Sequence, residues 1–250
     1  MTAEELGSVG KAAAGDILMA RKVYLVTMVQ PSAGAPEGFE ERYNAYWTAV
    51  DEQVSQLEAK AGVVARVFAE GIVGKGDDAM LMVQQSNPGA HRVVRQRVSA
   101  GAVFEEFEDT ELFGRVIDWG RCLQVGLINR TVADEIQGKY TEAAENRTAH
   151  LEKRLEEGIL ESEAALVLGG DPSIKLPEGV EKFLISPPEL DELERWVRQA
   201  NEAIQKQMAE QEELVRSGGA PEQRAAGRPD GQNADDGSAG SGLWTPGGAN

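Results

Sequence analysis

Apolar positions change spacing along the chain in a way that separates strands from helices. Residues 22–29 (KVYLVTMV) form a short β-branched run, closed by the turn residues Gln30-Pro31-Ser32-Ala33-Gly34-Ala35-Pro36, and read as a buried strand. From 37 to 61, Phe39, Tyr43, Tyr46, Trp47, Val50, Val54 and Leu57 recur at steps of three and four, the spacing of one helical face. Gly62 is placed to stop that helix, and 63–69 (VVARVFA) follows as a second strand. Strand, helix, strand opens a βαβ unit, which builds parallel sheets with helices on their faces.

The spacing then predicts short helices over 77–85 and 89–99, split by Asn87-Pro88, and a third strand over 102–107. Glu105, Glu106 and Glu108 mark that strand as an edge or half-exposed one. A helix over 110–128 carries Leu112, Phe113, Val116, Ile117, Leu123 and Leu127 on one side, with Asp109 or Thr110 as its cap. A long helix over 131–157 has the seam Val132, Ile136, Tyr140, Ala144, Arg147, Leu151, Leu155. The runs 164–168 (AALVL) and 180–185 (VEKFLI) read as interior strands. In the last helix, 189–216, the stripe Leu190, Leu193, Val197, Ala200, Ile204 fades toward its end, so the first half is expected to dock and the second to project. The expected fold class is α/β, a mainly parallel or mixed sheet of about five strands flanked by helices, with a long C-terminal helix.

Composition divides the chain into a flexible N-terminus, 1–21, a single α/β domain, 22–213, and a tail, 214–250. After Arg216 there are nine glycines and three prolines in 34 residues, too little apolar surface to offset chain entropy, so disorder is expected there. Of the net charge of −17, all but two units belong to the body, because the tail holds four acidic and two basic residues. Such a surface repels phosphate backbones and anionic headgroups, which argues against nucleic acid or membrane as partners. Cys122 is the sole cysteine, so no internal disulfide forms, and a cytoplasmic location is expected. Residues 1–21 lack the basic start and apolar stretch of a signal peptide, and Met19 is an alternative start.

Seven residues carry candidate chemistry. Glu70 stands at the end of the second strand, directly before Gly71, where open α/β sheets place ligand-binding groups; the plainer reading is a carboxylate that meets water. Arg147 puts a guanidinium in an apolar seam, and a buried charge needs a carboxylate or a bound anion, unless its stem covers the core and its head reaches solvent. His150, one turn from Arg147, and His91 are the two imidazoles, too few for a metal set. Gly169-Gly170-Asp171 follows a buried strand and can bring backbone N–H groups to an anion, or form a plain turn. No dinucleotide fingerprint, phosphate loop or nucleophile elbow occurs, so no cofactor is assigned and no metal ligand is named.

Val67-Phe68-Ala69-Glu70-Gly71, then Asn146-Arg147-Thr148-Ala149-His150-Leu151, then Glu163-Ala164-Ala165-Leu166-Val167-Leu168-Gly169-Gly170, taken in order, resemble the superfamily of TraB-type proteins, erythromycin esterases and ChaN-like haem-binding proteins. The resemblance implies that Glu70 and Arg147 are inward-facing charged residues that approach each other across the sheet edge. Two departures bear on activity. Met28-Val29-Gln30-Pro31 stands where that superfamily has a Gly-Glu-x-His type sequence, and Gly169-Gly170-Asp171-Pro172 where it has Gly-x-x-His. Both histidines are missing, so the resemblance implies a degenerate, non-catalytic domain binding a small anionic ligand or a protein partner near Glu70 and Arg147. Two alternatives stand beside it. One is a hydrolase with Glu70 as general base and Arg147 or His150 stabilising charge. The other is an interaction protein that forms a homodimer through helix 189–216.

Overall fold

All six positions of the run Ala164–Gly169 are buried, which requires a strand with neighbours on both edges and cover on both faces. In a computed structural model of the protein, which describes residues 19–32, 34–170 and 174–216, this run is the middle of a five-stranded parallel sheet. The strands are β1 (Arg21–Thr27), β2 (Val64–Ala69), β3 (Val103–Phe104), β4 (Ala164–Gly169) and β5 (Val180–Ile185), in the order β3-β2-β4-β1-β5. The helices are α1 (Phe39–Ala61), α2 (Gly76–Ser86), α3 (Pro88–Ser99), α4 (Thr110–Gln124), α5 (Arg130–Gly158) and α6 (Pro188–Arg216). The α/β class, the parallel sheet of five strands and the long final helix are therefore as the hydrophobic pattern predicts. The expected tail lies outside the described residues, apart from the end of α6.

The order follows from the direction of each connection. The chain moves from β1 through α1 to β2, skipping a place, and through α2 and α3 to β3; it then reverses through α4 and α5 to insert β4 into the gap. Right-handed crossovers that run in opposite directions must lie on opposite faces. Accordingly α1, α2, α3 and α6 contribute to one apolar cluster, with Tyr24, Val26, Val67, Ala69, Leu166 and Leu168 from the sheet. Leu151 and Leu155 of α5 pack on Val23, Phe68, Ala165 and Val167 of the other face. Alternation along β2 thus puts Phe68 on the α5 side, and Glu70, two residues on, follows it.

Local signals set most element ends. Gly62 caps α1 at φ 124°, a conformation that favours glycine. Asp109 caps α4, its carboxylate accepting from the backbone N–H of Glu111 at 2.9 Å and of Leu112 at 2.8 Å. β1 starts one residue earlier than the pattern marks, at Arg21, whose guanidinium donates to the Glu178 carbonyl at 2.6 Å. The expectation that 180–185 lies inside the sheet is corrected: β5 pairs with β1 alone and leaves Glu181, Lys182 and Leu184 exposed. The inner place beside β1 is taken by β4, whose side chains are apolar throughout, whereas Glu181 and Lys182 need water. As expected, α6 docks by its first half, burying Leu190, Leu193 and Val197, while Ile204, Met208 and Leu214 stay exposed.

Buried phenols give the fold an alkaline limit. Tyr24 donates to the Gly62 carbonyl at 2.6 Å, and burial, aided by the nearby Glu58 charge, pushes its phenol up to about 12. An unfolded tyrosine titrates near ~10. Between these values the unfolded chain releases a proton that the folded chain keeps, so stability falls as pH rises through this window. Urea midpoints measured from pH 9 to pH 12 should decline, and Tyr24→Phe should decline less steeply than wild type.

Candidate functional site

In parallel sheets, crevices open at the carboxyl edge where neighbouring strands send their connections to opposite faces. β4 is such a strand: the chain after it packs Ile174 and Leu176 on the α5 side, whereas its neighbours β1 and β2 lead to α1, α2 and α3 on the other. The residues at this edge are Thr27 ending β1 and Met28 after it, Glu70 and Gly71 after β2, and Gly169 ending β4 with Gly170 after it.

Glu70 reaches across to β4. A Cβ on Gly169 would lie 2.6 Å from Glu70 Cδ and 3.0 Å from its Cγ, so this carboxylate needs a residue without a side chain beneath it. Its N–H donates to the Leu168 carbonyl at 2.8 Å, which ties the strand end down. Arg147 arrives from α5, one turn before Leu151 and two before Leu155, with Nη2 3.8 Å from Glu70 Oε2. These two residues, singled out from the sequence, are brought together on the α5 side of the sheet.

Among the described residues the closest partner of Arg147 is Glu108, which the sequence pattern does not single out. Arg147 Nε donates to Glu108 Oε2 at 2.9 Å and Nη2 donates to Glu108 Oε1, a two-point grip, while Gly71 N–H donates to the same Oε1 at 2.8 Å. Glu108 is completely buried; the side chains of Arg147 and Glu70 keep 13% and 15% exposure. Phe113 of α4 lies over the guanidinium, ring centre 5.6 Å from Cζ. The carboxylate or anion that an inward Arg147 requires is therefore supplied from within the chain. A signal for Glu108 did exist: Glu105, Glu106 and Glu108 crowd a short edge strand, and Phe107 between them is fully buried.

The remaining predicted residues divide. Gly169 belongs to the site as the seat of Glu70, and Gly170 is at the same edge but exposed. Asp171 lies outside the described residues. His150, one turn on from Arg147 along α5 and half-buried, makes no hydrogen bond or ion pair with Glu70 or Arg147 among the described residues. His91 is on α3, across the sheet, its imidazole held down by burial and by Arg95. Among the described residues no group of three or more His, Cys, Asp and Glu is placed to hold a metal ion.

A second missed charge is Arg97 of α3, almost wholly buried. It is held by Asp51, by Glu58 Oε2 at 3.2 Å, by Ser55 Oγ at 2.9 Å and by the Val93 carbonyl at 3.1 Å. Asp51, Ser55 and Glu58 form a polar line beside the apolar stripe of α1, the visible trace of that partner. Arg97 joins α1 to α3 and has no part in the crevice.

No family model, curated protein or solved structure matches the chain. No helix of the described residues is long and apolar enough to cross a membrane.

Proposed function

We propose that the protein is a non-catalytic α/β binding domain that takes a small molecule or a protein partner at the carboxyl edge of β2 and β4, with Glu70 as its contact. The observation that supports this is the bracketing of one guanidinium by two carboxylates of unequal exposure. Glu108 is wholly buried and occupied by Arg147 and Gly71 N–H, whereas Glu70 lies at the crevice over Gly169. Among the described residues two carboxylates stand about one guanidinium, a net negative charge, so an occupant that presents an ammonium or hydroxyl donor fits better than the anion expected from Arg147 alone. The hydrolase reading has less support: its base, Glu70, is in ion-pair contact with Arg147, and His150 makes no hydrogen bond or ion pair with either among the described residues. Cytoplasmic placement, and a degenerate member of the TraB, erythromycin esterase and ChaN-like superfamily, belong to the same proposal. The approach of Glu70 to Arg147 is what that resemblance implies.

A panel of primary amines, polyols and inorganic phosphate, titrated into the protein and followed by amide NMR, tests the reading. Amines or polyols are expected to shift the Gly71 and Gly170 amides in wild type and not in Glu70→Gln. Gly169→Ala, which displaces the Glu70 carboxylate without changing charge, is expected to weaken the response about tenfold, as one misplaced charge-assisted contact does. Equal shifts in wild type and Glu70→Gln would remove Glu70 from the site, and shifts from phosphate alone would reverse the sign of the ligand.

A further inference from the structure

The α4–α5 pair holds a second cavity that the charged crevice does not use. The two helices pack against each other, and their buried positions there are small, Gly120 on α4 and Ala143 in the first half of α5. Small residues at a crossing leave grooves beside it, flanked by longer side chains. On one side the groove is a cavity of about 360 Å³, with Arg115 and Trp119 as one wall and Lys139, Glu142, Ala143 and Asn146 as the other. That volume falls in the range of small-ligand sites, roughly 300–1,000 Å³. Trp119, one turn after Arg115, is half-buried and supplies an apolar surface, with Ala143 as its floor.

Both cations at the mouth are paired with carboxylates of the chain, so the mouth is locally neutral in a chain that is acidic overall. Arg115 and Lys139 face one acidic lining residue, Glu142, in a protein of net charge −17. Lys139 Nζ donates to Glu142 Oε2 at 2.8 Å, and Arg115 Nη2 pairs with Glu111. Lys139 first, and Arg115 second, hold the Glu142 carboxyl below the ordinary carboxylate range. All four side chains are more than half exposed, and exposed ion pairs of this kind contribute little, so their exchange for a ligand carboxylate is easy.

We infer that this groove binds a small molecule with a flat apolar body and a single carboxylate, the body against Trp119 and Ala143 and the carboxylate between Arg115 and Lys139. It is separate from the Glu70 crevice, whose charge favours the opposite kind of ligand.

The probe is 2-naphthoate, titrated by calorimetry and by Trp fluorescence against the full chain, with 2-naphthylmethanol as the neutral comparison. Saturable one-to-one binding is expected, with the alcohol at least tenfold weaker. The double variant Arg115→Gln with Lys139→Gln should lose a similar factor while its thermal midpoint stays near wild type, because the altered side chains are exposed. Trp119→Ala should weaken naphthoate and naphthylmethanol alike. Equal affinity for the two probes, or binding unchanged by both the double variant and Trp119→Ala, would overturn the inference, as would the absence of binding. Glu70→Gln is expected to leave naphthoate binding unchanged, which distinguishes this site from the crevice.

Discussion

Arg147→Met is expected to lower the unfolding free energy by about 3–5 kcal/mol, because it leaves Glu108 as a buried carboxylate with its main counter-ion removed. Three facts set that size. Glu108 has no exposed surface, Arg147 meets both of its oxygens, and among the described residues the one other hydrogen bond it receives is from Gly71 N–H. A single backbone N–H does not offset the desolvation of a full charge. The companion variant Glu108→Gln keeps an acceptor for Gly71 and removes the charge, so Arg147→Met in that background should cost far less than in wild type. Urea unfolding with linear extrapolation measures the four proteins of the cycle. If the two substitutions simply add, the pairing of Arg147 with Glu108 is not what stabilises this edge.

Gly89→Ala is expected to be the other large effect, for a steric reason. Gly89 is in the first turn of α3, against the indole of Trp47, and a Cβ there would lie 2.6 Å from Cγ and 2.7 Å from Nε1 of that ring. The indole is held in turn by Tyr43 and Tyr46 in edge-to-face contacts with centroids 6.4 and 5.2 Å away, and Tyr43 accepts the Gly89 N–H at 2.9 Å. A packed ring has little room to move, and overpacking costs about 1–3 kcal/mol or more. Asn87, completely buried, adds rigidity: its side chain accepts from Ala90 N–H and donates to the Val29 carbonyl at 2.8 Å, locking the start of α3 to the end of β1. Thermal unfolding should show the loss, and combining Gly89→Ala with Trp47→Leu should recover part of it relative to the sum of the single changes. Additive losses would mean that the indole yields.

How the site was legible differs residue by residue. Arg147 stood out because a helical seam of apolar residues has one charged member, and burial of an unpaired guanidinium is costly enough to demand an explanation. Glu70 stood out through its position at a strand end before glycine. Glu108 did not, because three glutamates within four residues look alike in sequence but have three fates. Glu105 pairs with Arg66, Glu106 is exposed, and Glu108 is buried against Arg147. Each choice depends on which helix and strand lie opposite, tens of residues away. Similarly VEKFLI and AALVLG both read as interior strands, and the place of β4 between β2 and β1 is what left β5 at the edge.

Periodicity is a local property, so the sequence alone determined the stripe of α1, the stop at Gly62, a cap at Asp109 or Thr110, the docking half of α6, and a charged member in the apolar seam at 147. Each of these depends on neighbours within a turn or a strand length, where spacing and residue type suffice. The tertiary structure alone decided strand order, the partner of Arg147, the seating of Glu70 over Gly169 and the groove beside Trp119. Those depend on elements far apart in the chain meeting at a particular register, which the reversal of direction between β3 and β4 sets and which no local pattern encodes.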